Sequence, residues 1–246
     1  RHSGFIPRDD DVKIWMSRED YNKFFSYMKE HSNEIFPLSF CTRSVDSGYT
    51  YGINRITDMR FKYVDNVMGA NVDYGIFVDV YPLDFVGNSH QEYMAGYRQI
   101  EKLNDIYAVY MQDKSSSKLW HKKLAKKIAR FVLHCVYKDN RRMLDYVTGG
   151  TNKVIGKYNN TNSTLVGIIV WWAYEQSYPK ELFEGETMLM FENEEFRVPL
   201  NYKDILTTIY GDYMQLPPEE KRNPYHGYSI YRRCDYEQSK WKEFLW

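Results

Sequence analysis

Apolar and polar residues alternate in two distant segments of the chain, and each alternation predicts a β-strand. Residues 5–16 are predicted to be a loop that enters a strand, with the apolar side chains from Val12 onward on one face and Asp9, Asp11 and Lys13 on the other. The second segment, residues 75–84 (GIFVDVYPLD), carries Asp79 among aromatic side chains. Burying an unpaired carboxylate is costly, so we expect Asp79 to have a cation or hydrogen-bond donors beside it.

Helical spacing of apolar residues predicts four helices. The first follows Ser17, which is suited to cap it. Two long helices are predicted at residues 91–111 and 118–145, and a short one at 202–210 with Gly211 as its C-cap.

Shorter strands are predicted from β-branched and aromatic residues flanked by turn residues. Residues 38–42 and 49–57 form one antiparallel pair, and residues 187–191 and 195–199 form a hairpin. Arg55 lies among apolar residues in the second of these strands, so we expect an anionic partner for it, either a ligand or a core carboxylate. Pro82 is predicted to end the strand that holds Asp79.

The succession of elements predicts an α+β fold in a single domain. Residues 1–88 would form the sheet core, and residues 89–183 a mainly helical insertion. Residues 184–246 would add a C-terminal hairpin, a helix and the segment YGDYMQLPPEEKR.

The predicted helix at 118–145 is amphipathic and strongly basic. Its apolar stripe consists of Trp120, Leu124, Ile128, Phe131, Val132 and Cys135, and its other side carries His121, Lys122, Lys123, Lys126, Lys127 and Arg130. Two interpretations are open. The stripe packs on the core and the basic side is solvated, or the helix makes peripheral contact with anionic lipid or with a polyanionic acceptor.

Charge and cysteine content limit the classes of function that are expected for this chain. Lys plus Arg and Asp plus Glu each number 33, so no net field favours nucleic acid, and no nucleic-acid partner is expected. The three scattered cysteines form no zinc-binding or disulfide pattern, which fits a reducing compartment. With no run of about 18 apolar residues, the expected location is cytoplasmic, with the inner face of the membrane as a site of contact.

The spacing of acids suggests a metal site. Asp9 and Asp11 lie on one face of the first strand, and Asp79 would join them if the two strands are adjacent. Carboxylate oxygens, together with phosphate and water, are the ligands that Mg²⁺ prefers. Asp84, just after Pro82, is expected to fix a turn through the backbone rather than to bind metal.

Three motifs resemble the LicD family in order and spacing. They are RHSGFIPRDDDVKIWMSREDY at residues 1–21, GIFVDVYPLD at 75–84 and YGDYMQLPPEEKRNPYH at 210–226. The resemblance implies a nucleotidyltransferase-like fold: a small mixed sheet that carries the acids, elaborated by helices. It also implies a phosphotransferase that moves a phospho-substituent to a sugar hydroxyl.

The implied donor is CDP-choline or a related CDP-alcohol, and the acceptor is a precursor of a cell-surface glycan such as lipopolysaccharide or teichoic acid. The resemblance implies that Asp9, Asp11 and Asp79 bind Mg²⁺ or Mn²⁺ and act in catalysis. Substrate binding is expected of Lys13, Arg55, Lys221, Arg222 and His226.

The chain departs from the family pattern near the acids. Arg8 replaces the usual Trp, and Lys13 stands where an acid is usual. Lys13 could supply the positive charge that a second metal ion would otherwise provide, or it could bind a phosphate directly. It could equally indicate that catalytic activity is reduced. Two alternatives therefore stay open: a nucleotidyltransferase that attaches NMP to a small acceptor, and a catalytically impaired glycan-binding homologue. Because the chain begins at Arg1 without Met, we expect it to be a fragment.

Overall fold

The computed structural model describes residues 3–5, 11–44, 48–65, 73–111, 119–159, 162–170, 177–216, 218–219 and 227–234. The strands are β1 (Lys13–Ser17), β2 (Leu38–Cys41), β3 (Asn54–Asp58), β4 (Phe61–Asp65), β5 (Ile76–Gly87), β6 (Leu165–Gly167), β7 (Ser177–Pro179), β8 (Glu186–Phe191), β9 (Glu194–Pro199) and β10 (Tyr228–Arg232). The helices are α1 (Arg18–Glu30), α2 (His90–Met111), α3 (Trp120–Tyr137), α4 (Asn140–Asn159) and α5 (Tyr202–Tyr210), with a 3-10 turn at Lys180–Phe183.

A six-stranded mixed sheet is the centre of the fold. Its strands follow the order β2-β3-β5-β6-β7, and β1 pairs with β5 outside this path. The β1–β5 pair is parallel, and the other neighbouring pairs are antiparallel. Helices and strands both contribute to the fold, which confirms the predicted α+β class. The adjacency of β1 and β5 also brings the two acidic segments side by side.

Strand β5 continues through Pro82 to Gly87, so the predicted end at Pro82 is wrong. The amide of Asp79 donates to the Val12 carbonyl oxygen at 3.0 Å, towards β1. Amides alternate sides along a strand, so the nitrogen of Pro82 faces the β3 side. The pairing with β3 ends at Val80, and the missing N–H of proline therefore removes no ladder bond.

Helices cover both faces of the sheet. Ser17 caps α1 as predicted, because its Oγ accepts from the Asp20 amide at 3.1 Å. Helix α1 packs Tyr21 against Val80 on one face. On the opposite face, Tyr81 joins the largest core cluster together with residues of α2 and α4. The period-two alternation of β5 thus gives each face its own apolar partner.

The predicted helix at 118–145 is two helices, so the prediction of a continuous helix is wrong. Lys138 ends α3 with a positive φ of 58°. The next residue, Asp139, accepts the Arg142 amide on Oδ1 at 2.8 Å and thereby caps α4. The residue that ends α3 and the residue that caps α4 are therefore adjacent in the sequence.

The apolar stripe of α3 points away from the core. Trp120 is 74% exposed and Phe131 70%, and Ile128 is exposed as well. Helix α3 instead packs through Leu133 and Tyr137 against a cluster formed by α2 and α4. In the part of the chain that the structure describes, the interpretation in which the stripe packs on the core is wrong.

The C-terminal elements agree with the sequence pattern. Strands β8 and β9 form the predicted hairpin. Helix α5 ends at Gly211, whose φ of 67° suits glycine and whose N–H donates to Thr207 O at 2.8 Å. The domain division at residues 88 and 183 stays a prediction. Within the described ranges, no helix has both the length and the apolar character needed to cross a membrane.

Candidate active site

Four neighbouring strands place a row of polar side chains on one face of the main sheet. Lys13 of β1 is in register with Asp79 of β5, Asp79 with Arg55 of β3, and Arg55 with Cys41 of β2. Paired positions point to the same face, and neighbouring strands lie about 4.8 Å apart. Adjacent members of this row are therefore within reach of one another.

Asp79 and Arg55 form a buried ion pair. Arg55 Nε donates to Asp79 Oδ1 at 2.6 Å, and the two residues are 7% and 6% exposed, respectively. A charge-assisted bond of this kind compensates two charges that would be costly to bury alone. The expectation that Asp79 has a cation beside it is confirmed, and the anionic partner of Arg55 is this core carboxylate.

Four aromatic rings surround the Arg55 guanidinium. Its Cζ lies 3.9 Å from the ring centre of Phe77, 4.4 Å from that of Tyr51, 5.5 Å from that of Tyr74 and 5.8 Å from that of Tyr49. Tyr74 Oη also accepts from Nη1 at 3.1 Å. Burial alone would lower the pKa of Arg55, but Tyr49 and the paired carboxylate raise it above its ordinary value. The guanidinium is therefore charged and held in one position.

The aromatic rings around Arg55 were not predicted from the sequence. A signal was present, because Tyr49 and Tyr51 precede Arg55 by even numbers of residues and so belong to its face in an extended chain. Phe77 has the same relation to Asp79 on β5. The contribution of Tyr74, which comes just before β5, had no comparable pattern.

Lys13 forms an ion pair with Asp11, which lies two residues earlier on the same face. Their side chains are 28% and 17% exposed, whereas those of Arg55 and Asp79 are 9% and 8% exposed. The row thus becomes more buried from β1 towards β3. A ligand approaching this face would meet Lys13 and Asp11 first.

The net charge of the described site residues is zero. Asp11 and Asp79 contribute two negative charges, and Lys13 and Arg55 contribute two positive ones. Among the described residues, no three His, Cys, Asp or Glu side chains converge on a metal position. The two carboxylates are hard oxygen donors, Asp79 on β5 and Asp11 just before β1. Such donors suit Mg²⁺ or Mn²⁺, but Lys13 competes for Asp11.

Four of the predicted site residues lie outside the described ranges. These are Asp9, Lys221, Arg222 and His226. Their roles in metal binding and substrate binding stay predictions. Of the predicted set, the structure brings together Asp11, Lys13, Asp79 and Arg55.

Asp84 has a different role from the one expected. It is fully buried, and its two oxygens accept from Nε and Nη2 of Arg18, each at 2.6 Å. Burial raises the pKa of Asp84, and the bonds from Arg18 offset only part of that effect. The expectation that Asp84 fixes a turn is wrong, because β5 continues and the carboxylate anchors the first turn of α1.

Comparison with known proteins gives one informative similarity. The chain is 26% identical over 232 residues to the lipopolysaccharide cholinephosphotransferase LicD of Haemophilus influenzae. The aligned region covers 92% of this chain and 82% of that protein. No family model and no solved structure matches the chain. The aligned region covers nearly the whole chain and therefore extends beyond the three motifs.

Proposed function

Because this chain belongs to the LicD family, we propose that it is a phosphotransferase that moves phosphocholine from CDP-choline to a sugar hydroxyl. The acceptor is lipopolysaccharide or another cell-surface glycan precursor, such as that of teichoic acid. The observation that carries the proposal is the similarity to a lipopolysaccharide cholinephosphotransferase along 92% of the chain.

For the sheet core we propose a nucleotidyltransferase-like fold. It is supported by the mixed sheet, in which the central strand β5 carries Asp79 and its parallel neighbour β1 directly follows Asp11 and Val12. Helices on both faces leave the Lys13 end of the row more accessible than the Arg55 end.

The proposed cofactor is Mg²⁺ or Mn²⁺, held by Asp9, Asp11 and Asp79. When bound, the ion would act as a Lewis acid and stabilise the negative charge that develops on the CMP leaving group. Lys13 would exchange its bond with Asp11 for one with a donor phosphate, so its charge would stay paired. Lys221 and Arg222 would bind other phosphate oxygens, and His226 would donate to one.

The transfer itself is an in-line displacement. The acceptor hydroxyl oxygen forms a bond to the phosphorus that bears choline, and the bond from that phosphorus to the CMP oxygen breaks. The hydroxyl proton passes to a carboxylate, for which we propose Asp79. The burial of Arg55 supports a role in orienting Asp79, and direct contact between Arg55 and substrate stays a prediction.

The test compares Asp11→Asn and Asp79→Asn with the wild-type chain in CMP release from CDP-choline, with Mg²⁺ and lipopolysaccharide. Each substitution is expected to lower kcat by about 100-fold or more, as for other groups that stabilise transition-state charge. Asp105→Asn, an exposed acid on α2, is the matched control and should keep full activity.

Asp11→Asn is the sharper variant, because Asp11 is only partly buried and its loss leaves the ion pair of Asp79 intact. Thermal unfolding measured alongside separates loss of fold from loss of chemistry. Turnover at the wild-type rate in both variants would remove these carboxylates from the mechanism.

A catalytically impaired glycan-binding homologue is the second candidate. The ion pair between Lys13 and Asp11 favours it, because it leaves the described acids neutralised. Calorimetric titration separates the two candidates. Binding of glycan without binding of Mg²⁺ and CDP-choline would support the impaired homologue.

A further inference from the structure

Helix α3 has an apolar surface that we call its outer face. It consists of Trp120, Leu124, Ile128, Phe131, Val132 and Cys135. At 100° per residue these positions fall within an arc of about 120°. His121 lies in the same arc, with its ring 6.0 Å from that of Trp120. All these side chains are exposed in the structure.

The opposite side of α3 attaches the helix to the protein. Leu133 and Tyr137 pack against the cluster of α2 and α4. Arg130 Nε donates to Tyr110 O at 3.1 Å. Because these contacts lie roughly opposite the outer face, α3 cannot turn its apolar arc inward without losing them. The exposure of the arc therefore follows from how the helix is anchored.

The charges of α3 are all of one sign. The helix has no acidic residue, and it carries Lys122, Lys123, Lys126, Lys127 and Arg130. On the helical projection, Lys123 and Lys127 border the outer face on one side, and Lys122 lies about 80° beyond its other edge. Beside the arc, a surface depression of about 360 Å³ is lined by Lys127, Arg130, Phe131 and His134. Cations thus flank an apolar surface.

We propose that the outer face of α3 binds the surface of an anionic phospholipid bilayer, with the helix axis parallel to the membrane. The apolar side chains would enter the boundary between head groups and acyl chains, and the lysines would contact lipid phosphates. An aromatic and aliphatic arc bordered by Lys and Arg is the pattern of helices that lie in this plane.

The charges favour a lipid surface over other occupants. A second copy of the chain would bring two basic helices together without any acid on either, which is unfavourable. A soluble polyanion would pair with the lysines but would leave Trp120 and Phe131 in water. An anionic bilayer satisfies both the charges and the apolar arc. The proposal rests on α3 alone and does not require the proposed enzymatic activity.

The test is co-sedimentation of the full chain with vesicles. The expected result is binding to mixed phosphatidylglycerol and phosphatidylcholine vesicles at least about tenfold tighter than to phosphatidylcholine alone, weakened by salt. Trp120→Ser with Phe131→Ser is expected to reduce binding about tenfold. Lys123→Glu with Lys127→Glu is expected to abolish the preference for anionic vesicles.

The matched control is Met188→Ser with Phe196→Ser. These side chains are also exposed, but they lie on the β8–β9 hairpin. Binding by this variant should equal that of the wild type. All variants are checked by circular dichroism, and because the substituted residues are exposed, their helical signals should match.

A dye on Cys135 reports insertion directly. Cys135 lies in the middle of the arc and is exposed, as is Cys234, which is removed by Cys234→Ser. Burial raises the pKa of Cys41 to about 11, so this thiol should react slowly at neutral pH. An environment-sensitive dye at Cys135 should brighten and shift to the blue with anionic vesicles.

Three results would overturn the proposal. They are absence of wild-type binding to anionic vesicles, binding that the outer-face variant leaves unchanged, and a dye signal that does not respond to lipid. If sedimentation velocity shows a dimer that Trp120→Ser with Phe131→Ser dissociates, the occupant is a second copy. These outcomes are independent of CMP release, so failure here and failure of the proposed function are distinguishable.

Discussion

At the scale of single residues, Arg55 and Asp79 depend on one another. Each is buried, and each provides the opposite charge that the other needs. The aromatic rings around Arg55 contribute cation–π contacts and exclude water, which strengthens the ion pair. The carboxylate proposed for catalysis is therefore fixed before any ligand arrives.

Loss of one partner should be more damaging than loss of both. We expect Arg55→Met to lower the free energy of unfolding by about 3–5 kcal/mol, because it leaves the Asp79 carboxylate buried without its cation. Arg55→Met combined with Asp79→Leu should recover part of that loss. Urea denaturation provides the measurement. A double variant whose loss equals the sum of the two single losses would show that the pair is not coupled.

Removal of the Lys13 charge should strengthen binding of a divalent cation. Lys13→Gln releases Asp11 and removes one positive charge from the site. A positive charge about 4 Å from a bound cation would repel it by roughly 1–4 kcal/mol. Affinity for Mn²⁺, measured by electron paramagnetic resonance, should rise several-fold or more. Lys62→Gln, which breaks the ion pair with Asp73 elsewhere, is the control. Unchanged Mn²⁺ affinity in Lys13→Gln would contradict a metal site at Asp11.

Asp84 should make stability fall as pH rises. Because burial raises its pKa in the folded state, its contribution is fully present below the unfolded pKa of about 3.9 and declines as pH rises through the folded pKa. The stability advantage of the wild type over Asp84→Asn should therefore shrink from acid towards neutral pH. Asp58, whose pKa Arg60 lowers, should show the opposite trend in Asp58→Asn. If the difference in free energy of unfolding from the wild type changes with pH in the same direction for both variants, the assignment is contradicted.

At the scale of elements, local patterns predicted the strands and caps but not how far elements extend. The alternation in β5 and the Ser17 cap depend on neighbouring residues, so they could be read from the sequence. The passage of β5 through Pro82 depends on where its partner β3 ends, which is a tertiary property. The outward orientation of the α3 stripe likewise depends on which side α2 and α4 contact.

The break between α3 and α4 yields its own prediction. Asp139 caps α4 through the Arg142 amide, so Asp139→Ala should lower the free energy of unfolding by about 1 kcal/mol. Asp139→Ser retains a capping oxygen and should remain close to the wild type. Thermal unfolding of the two variants measures the difference. Equal melting temperatures for them would indicate that the cap contributes nothing.

At the scale of the whole molecule, distant parts of the chain assemble the site. The β1–β5 pairing puts Lys13, the ion-pair partner of Asp11, in register with Asp79, and the Arg18–Asp84 pair joins the same two segments beyond the other end of β1. The sequence motifs indicated that these segments belong together. They could not reveal which aromatic residues enclose Arg55, because that depends on the folded path of residues 48–58 and 73–77.

The most direct test of the central claim is phosphorus NMR of the full chain incubated with CDP-choline, Mg²⁺ and lipopolysaccharide. We predict that the diphosphate signals of CDP-choline decline while CMP and a phosphodiester signal on the glycan appear together, and that chelation of the metal stops the change. Release of phosphocholine together with CMP attached to the acceptor would identify a nucleotidyltransferase. CDP-choline that stays intact while the folded chain binds glycan would contradict the proposed transfer.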